Sequence, residues 1–197
     1  MLNRPFTAVL ISLVLLTVLT SCEEINKLFS LPLDENTTQT TTPPRNSFYI
    51  TTSAVDARGH LLTKHGAYNG RANISPPLEW GNVPEGTTSF AIELNDEDFP
   101  MIHWTLVALN PTLTSLSEGT LAGGEEKTEY TGPFPPPGSV HDYKFTIYAV
   151  NESPLRMRNI FTNLSGMQDF ETAFAASFPA GQILGKSSTI VKFSGDA

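Results

Sequence analysis

Two short stretches hold the residues best suited to chemistry. In "ELNDEDFPMIHW", residues 93–104, Asp96 and Asp98 stand two apart at the end of a strand-like run, and His103 opens the next one. Strand side chains alternate between faces, so a strand that continues this far points both carboxylates the same way. The connection "FPMI" is so short that His103 must lie close to them. In "YTGPFPPPGSVHDY", residues 130–143, a proline- and glycine-rich turn ends on His141 and Tyr143, two apart. If a strand begins there, imidazole and phenol also share a face. Carboxylates, imidazoles and a phenol can bind an anion, chelate a metal, act as acid and base, or form a structurally satisfied buried cluster. Spacing alone leaves these open. The turn adds one physical fact: proline fixes φ near −65° and biases the residue before it toward extended backbone, while glycine permits tight turns. A loop so constrained loses little entropy when a ligand docks, so it suits a pre-set wall.

The elements that must position these groups read mainly as strands. Residues 48–53, 89–94, 103–109, 144–150 and 188–193 are rich in β-branched and aromatic residues, with turns such as "PEGT" and "NPT" between them. One helix is expected to open at Ser165, where Gln168 three residues on completes a capping box. Phe170, Phe174 and Phe178 then recur every four residues and form a stripe for core packing, and Pro179 and Gly181 end the helix. Trp80 and Trp104 read as core or rim aromatics. His60 and His65, in the polar stretch "DARGHLLTKHGAYNGR", read as surface histidines.

The chain outside this domain carries its own signals. Residues 1–21 combine Arg4 with an uncharged apolar stretch from Ala8 to Leu19, too short to span a bilayer, and read as an export signal. The sequence Leu19-Thr20-Ser21-Cys22 resembles a bacterial lipobox, which implies cleavage before Cys22 and acylation of its thiol. Cys22 is the only cysteine, so an internal disulfide is excluded. Acyl chains buried at about 0.8 kcal/mol per methylene would anchor the protein to a membrane without spanning it. Neither Glu23 nor Glu24 is the aspartate that retains many lipoproteins in the inner membrane, so the outer membrane of a bacterial envelope is the expected location. Residues 22–46 include a Thr- and Pro-rich run with few large apolar side chains and read as a tether. Residues 47–197 then form one domain of ordinary size. The full chain has a net charge of −8, and loss of the signal removes Arg4 and no acid. Nucleic acid is therefore not an expected partner, since that interaction needs clustered cations.

The succession "NISPPLEWGNVPEGTTSFAIELNDEDFP", "IHWTLVALN", "YTGPFPPPGSVHDYKFTIYAVN" and "GQILGKSSTIVKF" resembles the phosphatidylethanolamine-binding protein family, in its bacterial Raf kinase inhibitor-like branch. The resemblance covers about residues 48–193. It implies a mainly β fold, a Greek-key β-sandwich with a few peripheral helices, and a small pocket for phosphate or phosphorylated head groups. The family's Asp-Pro-Asp-x-Pro element falls on Asp96, Asp98 and Pro100, with Glu97 in place of its first proline. Its pocket histidine falls on His103. Its Gly-x-x-Pro-Pro-x-Gly-x-x-His-x-Tyr element falls on Gly132, Pro135, Pro136, Gly138, His141 and Tyr143. Three departures bear on pocket width and head-group preference: Asp142 stands where arginine is common, Met101 where an aromatic is common, and the preceding loop is short. The analogy also admits a cis Phe99–Pro100 bond, a form found at about 5–6% of X–Pro bonds in general.

With that resemblance, the ligand-binding set is Asp96, Asp98, His103, Pro135, Pro136, His141 and Tyr143. The expected roles are donors from His103, His141 and Tyr143 to an oxyanion, with Asp96 and Asp98 orienting them. A carboxylate on one ring nitrogen of His103 would fix its tautomer and favour imidazolium. The leading function is an envelope lipoprotein that binds a small phosphorylated or anionic ligand or lipid head group. The alternative is a regulator that binds another protein; a hydrolase ranks last, and no catalytic residue, cofactor or metal is assigned. No Gly-x-Ser-x-Gly elbow or His-Glu-x-x-His motif occurs, and the Asp/His spacing does not match a zinc site.

Overall fold

The computed structural model describes residues 47–160 and 170–196. The export signal, Cys22, the tether, and the expected helix start at Ser165 and Gln168 lie outside these residues. Eight strands are formed: β1 (Tyr49–Thr51), β2 (Leu78–Gly81), β3 (Ser89–Asp96), β4 (Met101–Leu109), β5 (Ser115–Leu116), β6 (Glu125–Thr128), β7 (Val140–Val150) and β8 (Ile183–Ser194). They make a three-stranded sheet in the order β1-β2-β5 and a five-stranded sheet in the order β6-β4-β3-β7-β8, every pairing antiparallel. The chain passes between the sheets after β2, β4 and β5.

Alternation along β3 divides the core in two. Phe90, Ile92 and Leu94 join Trp80, Trp104 and Phe145 in a cluster that also takes in Ile50, Leu78 and Leu116 of the smaller sheet. Ala91, on the opposite face, joins Val107, Tyr148, Met157, Phe174 and Phe178 in a second cluster. That second face is covered by α1 (Pro154–Ile160) and α2 (Phe170–Ala176). Of the expected phenylalanine stripe, Phe174 and Phe178 are buried, with rings 4.7 Å apart, and Phe178 lies just past the helix end. Both tryptophans belong to the core. Burying a large apolar side chain contributes roughly 1.5–3 kcal/mol, so these two clusters hold the central strands rigid.

The rigid centre is what positions the site. β4, β3 and β7 are neighbours, and the C-terminal end of β3 lies beside the starts of the other two. Asp96 pairs with Met101 on one side and Tyr143 on the other. The pairing also slips: Leu94 stands opposite Trp104, but Asn95 stands opposite Ile102, which leaves His103 as an extra residue in β4. Such a bulge bends a strand and re-aims the inserted side chain.

Candidate functional site

A cavity of about 530 Å³ opens at this strand end, lined by Asp96, His103, His141 and Tyr143 from the sheet. Pro135, Pro136 and Phe134 of the proline-rich loop, Met101 and Phe99, and Tyr68, Asn69 and Arg71 of a third segment complete its wall. Imidazoles from two distant segments therefore meet in one recess. The His103 and Tyr143 rings lie edge to face at 5.1 Å, and the His141 and Tyr143 rings lie nearly parallel at 6.4 Å. His141 and Tyr143 share a face because they stand two apart on β7, as the strand period requires.

The carboxylates behave differently from each other. β3 ends at Asp96, so the alternation that would have aligned Asp98 with it stops in a turn. Asp96 is buried; its Oδ1 accepts the backbone N–H groups of Asp98 and Phe99 at 2.9 and 3.0 Å, and its Oδ2 lies 2.8 Å from His141 Nδ1. Asp98 is exposed and outside the lining, and its Oδ2 accepts the backbone N–H of Asp142 at 2.7 Å. The expected pairing of a carboxylate with His103 is also not the one formed. His103 Nδ1 donates to the carbonyl of Thr131 at 2.8 Å, while the backbone N–H of Thr131 donates to the carbonyl of His103, also at 2.8 Å. The bulge is thus tied to the proline-rich loop, and the carboxylate serves His141. Every peptide bond among the described residues is trans, Phe99–Pro100 included.

Carbonyl and carboxylate oxygens only accept, so Nδ1 carries the proton on both rings and Nε2 is the nitrogen left for a ligand. His103 is almost fully buried, and that burial pulls its pKa below the ordinary 6.5; the carbonyl of Thr131 and the charge of Asp96 offset it in part. Burial and the charge of Asp96 push the Tyr143 phenol up, so its hydroxyl stays protonated beside that carboxylate. Asp96, Asp98 and His141 also bring ligand atoms within 4.8 Å of one another, close enough to hold a cation. In the structure those atoms hold each other and the turn.

The proline-rich loop is set by close contact as well as by its prolines. A Cβ on Gly132 would lie 1.9 Å from the carbonyl oxygen of His65 and 2.8 Å from the backbone of Gly66, so only glycine lets the 130s loop close against the 60s segment. That segment corrects a second expectation. His65 is fully buried, its Nδ1 2.8 Å from the carbonyl of Ile74, and burial lowers its pKa. His60 is half-buried, and its backbone bridges Lys192. From the same stretch come Tyr68, Asn69 and Arg71 of the cavity wall, which sequence reasoning missed. The signal was the Asn69-Gly70 pair, which builds a turn with φ of 53° and 76° closed by a bond from Arg71 N–H to the carbonyl of Tyr68. Asp142, in the place where arginine is common, is outside the lining and pairs with Lys192 at 2.6 Å.

Comparison with known proteins agrees with the fold. Residues 51–194 match the family model described as "Phosphatidylethanolamine-binding protein". The chain is 33% identical over 114 residues to the UPF0098 protein YbhB of Escherichia coli strain K12, covering 47% of this chain and 72% of that one. It is 33% identical over 117 residues to a UPF0098 protein of Methanothermobacter thermautotrophicus, covering 52% and 76%. A UPF0098 protein of Mycobacterium tuberculosis strain H37Rv is 35% identical over 94 residues, but only 45% of its length is spanned. Among solved structures, the fold is similar to that of Escherichia coli YbcL, described as a new member of the mammalian PEBP family, with a TM-score of 0.58 at 23% identity over 75% of this chain and 98% of that one. A putative homologue from Chlamydia trachomatis gives a TM-score of 0.56 at 22% identity, over 75% and 96%.

Proposed function

Because the chain belongs to the phosphatidylethanolamine-binding protein family, we propose that its pocket binds a small phosphorylated or anionic ligand or lipid head group. The observation that carries this reading is the convergence of His103 and His141 on one 530 Å³ recess. Their Nδ1 atoms are tied back by Thr131 and Asp96, leaving Nε2 for the ligand. A proton held between Nε2 and a ligand oxygen makes a charge-assisted bond, about twice as strong as a neutral one. The constrained loop of Pro135 and Pro136 supplies a wall that needs no reordering. We read the site as one for binding.

The export signal and Cys22 support placing this binder on a bacterial envelope membrane through a lipid anchor, the outer membrane being the better match to Glu23 and Glu24. A protein partner at the same mouth is the second reading, supported by Tyr68 and Phe99, which line the cavity yet remain 65% and 52% exposed. Calorimetric titration with inorganic phosphate and with phosphoethanolamine tests the first reading. Saturable binding lost in His103→Ala supports it; heat of dilution alone in the unaltered protein refutes it.

A further inference from the structure

The two imidazoles cannot by themselves supply a standing charge to an anion. With Nδ1–H of each ring directed at an acceptor, a neutral ring presents a lone pair at Nε2, which repels an oxyanion rather than attracting it. The Tyr143 hydroxyl is neutral, and Asp96 adds a negative charge to the recess. Of the ionisable groups that face the cavity, Asp96 comes from β3, His103 from β4, and His141 and Tyr143 from β7; Tyr68 and Arg71 come from the loop after the 3-10 turn at Thr63–His65. Asp98 lies near the cluster but outside the lining. Among the described residues, Arg71 is therefore the one lining side chain that is cationic at every physiological pH.

Its placement is built. The guanidinium carbon sits 5.3 Å from the centroid of the buried Phe193 ring, within cation–π range. Nη1 donates to the carbonyl of Ala67 at 3.1 Å, and the backbone N–H of Ala67 donates to the carbonyl of Pro133 at 3.0 Å. The loop that carries Arg71 is thus joined to the proline-rich wall it faces. Tyr68 takes a left-handed φ of 63° ahead of the Asn69-Gly70 turn, a conformation costly for a bulky residue.

We infer that Arg71 is the anion anchor of the pocket, its guanidinium meeting the ligand's charge beside His103 and His141. The inference rests on the pocket reading above and names the residue that gives that pocket its permanent charge. The ligand chemistry it selects is an oxyanion that carries phosphate. Two sources are separated by two probes, inorganic phosphate for a free phosphate and glycerophosphoethanolamine for a lipid head group.

Both probes are titrated at pH 8.5 into the full chain and into Arg71→Gln and Arg71→Lys, with thermal melts to establish folding. Losing a hydrogen bond to a charged group corresponds to a roughly 10- to 100-fold weaker Kd. Arg71→Gln is expected to show that loss for whichever probe binds, and Arg71→Lys, which keeps the charge, is expected to recover most of it. The tighter of the two probes names the source. Unchanged affinity in Arg71→Gln overturns the inference, as does equal loss in both variants, which would show that the residue only holds its loop. If the unaltered protein binds neither probe, the pocket reading fails and this inference fails with it.

Discussion

Replacing Asp96 with asparagine changes one heavy atom and should disturb the whole strand end. The amide oxygen can still accept the N–H groups of Asp98 and Phe99, which now meet Oδ1 at 2.9 and 3.0 Å. The other oxygen becomes NH₂, a donor, and faces a further donor, His141 Nδ1, 2.8 Å away in the native protein. The His141 bond is made to a charged group in a buried setting, and such bonds contribute about 1.5–3 kcal/mol. A buried donor left facing a donor costs about 1–3 kcal/mol more, which His141 can relieve in part by moving its proton to Nε2. Asp96→Asn should therefore cost about 2–4 kcal/mol, a Tm drop of roughly 5–15 °C for a domain of this size. Asp98→Asn is the control. Its carboxylate is exposed and accepts one backbone N–H, which an amide oxygen can also accept, so the cost should stay below about 1 kcal/mol. Urea denaturation at pH 7 measures both. Equal losses in the two variants, or less than about 1 kcal/mol for Asp96→Asn, would refute the claim that Asp96 organises the pocket.

Two further outcomes follow from the same geometry. Gly132→Ala must push a Cβ into the carbonyl of His65, whereas a Cβ on Gly138 meets nothing within 4 Å and only its φ of 80° resists substitution. Melts should show Gly138→Ala losing about 1–2 kcal/mol and Gly132→Ala more than twice as much; the reverse order would mean that the two loops are not clasped. Burial lowers the pKa of both His65 and His103 from 6.5. Between 6.5 and those lowered values the unfolded chain binds protons that the fold refuses, so stability falls as pH drops through that window, by at most about 1.4 kcal/mol per pH unit for each ring. His65→Gln should flatten the dependence measured between pH 7.5 and 5.5, and an unchanged slope would contradict it.

What could be read in the sequence was what local periodicity controls. His141 and Tyr143 share a face because two residues on one strand must, and the prolines before them announced a fixed wall. What could not be read depended on events between segments. The strand period puts Asp98 on the face of Asp96 and the resemblance puts it in the pocket, but the chain turns after Asp96. His103 was given a carboxylate because the carboxylates were its sequence neighbours, but the bulge at β4 hands it to Thr131 instead. Arg71 and His65 sit in a polar stretch with no apolar period, and their placement depends on the approach of Gly132 from more than sixty residues away. β6 was missed because "EEKT" is a half-buried edge strand without the β-branched run that marks a core strand.

The chain has four histidines, and this makes one experiment unusually discriminating. Side-chain nitrogen resonances of all four can be followed by NMR while inorganic phosphate is added. Joint binding by two imidazoles requires the Nε2 signals of His103 and His141 to move together along one saturation curve, with His60 and His65 still. Movement of only one of the pair, or of all four in proportion to ionic strength, would contradict a shared anion site.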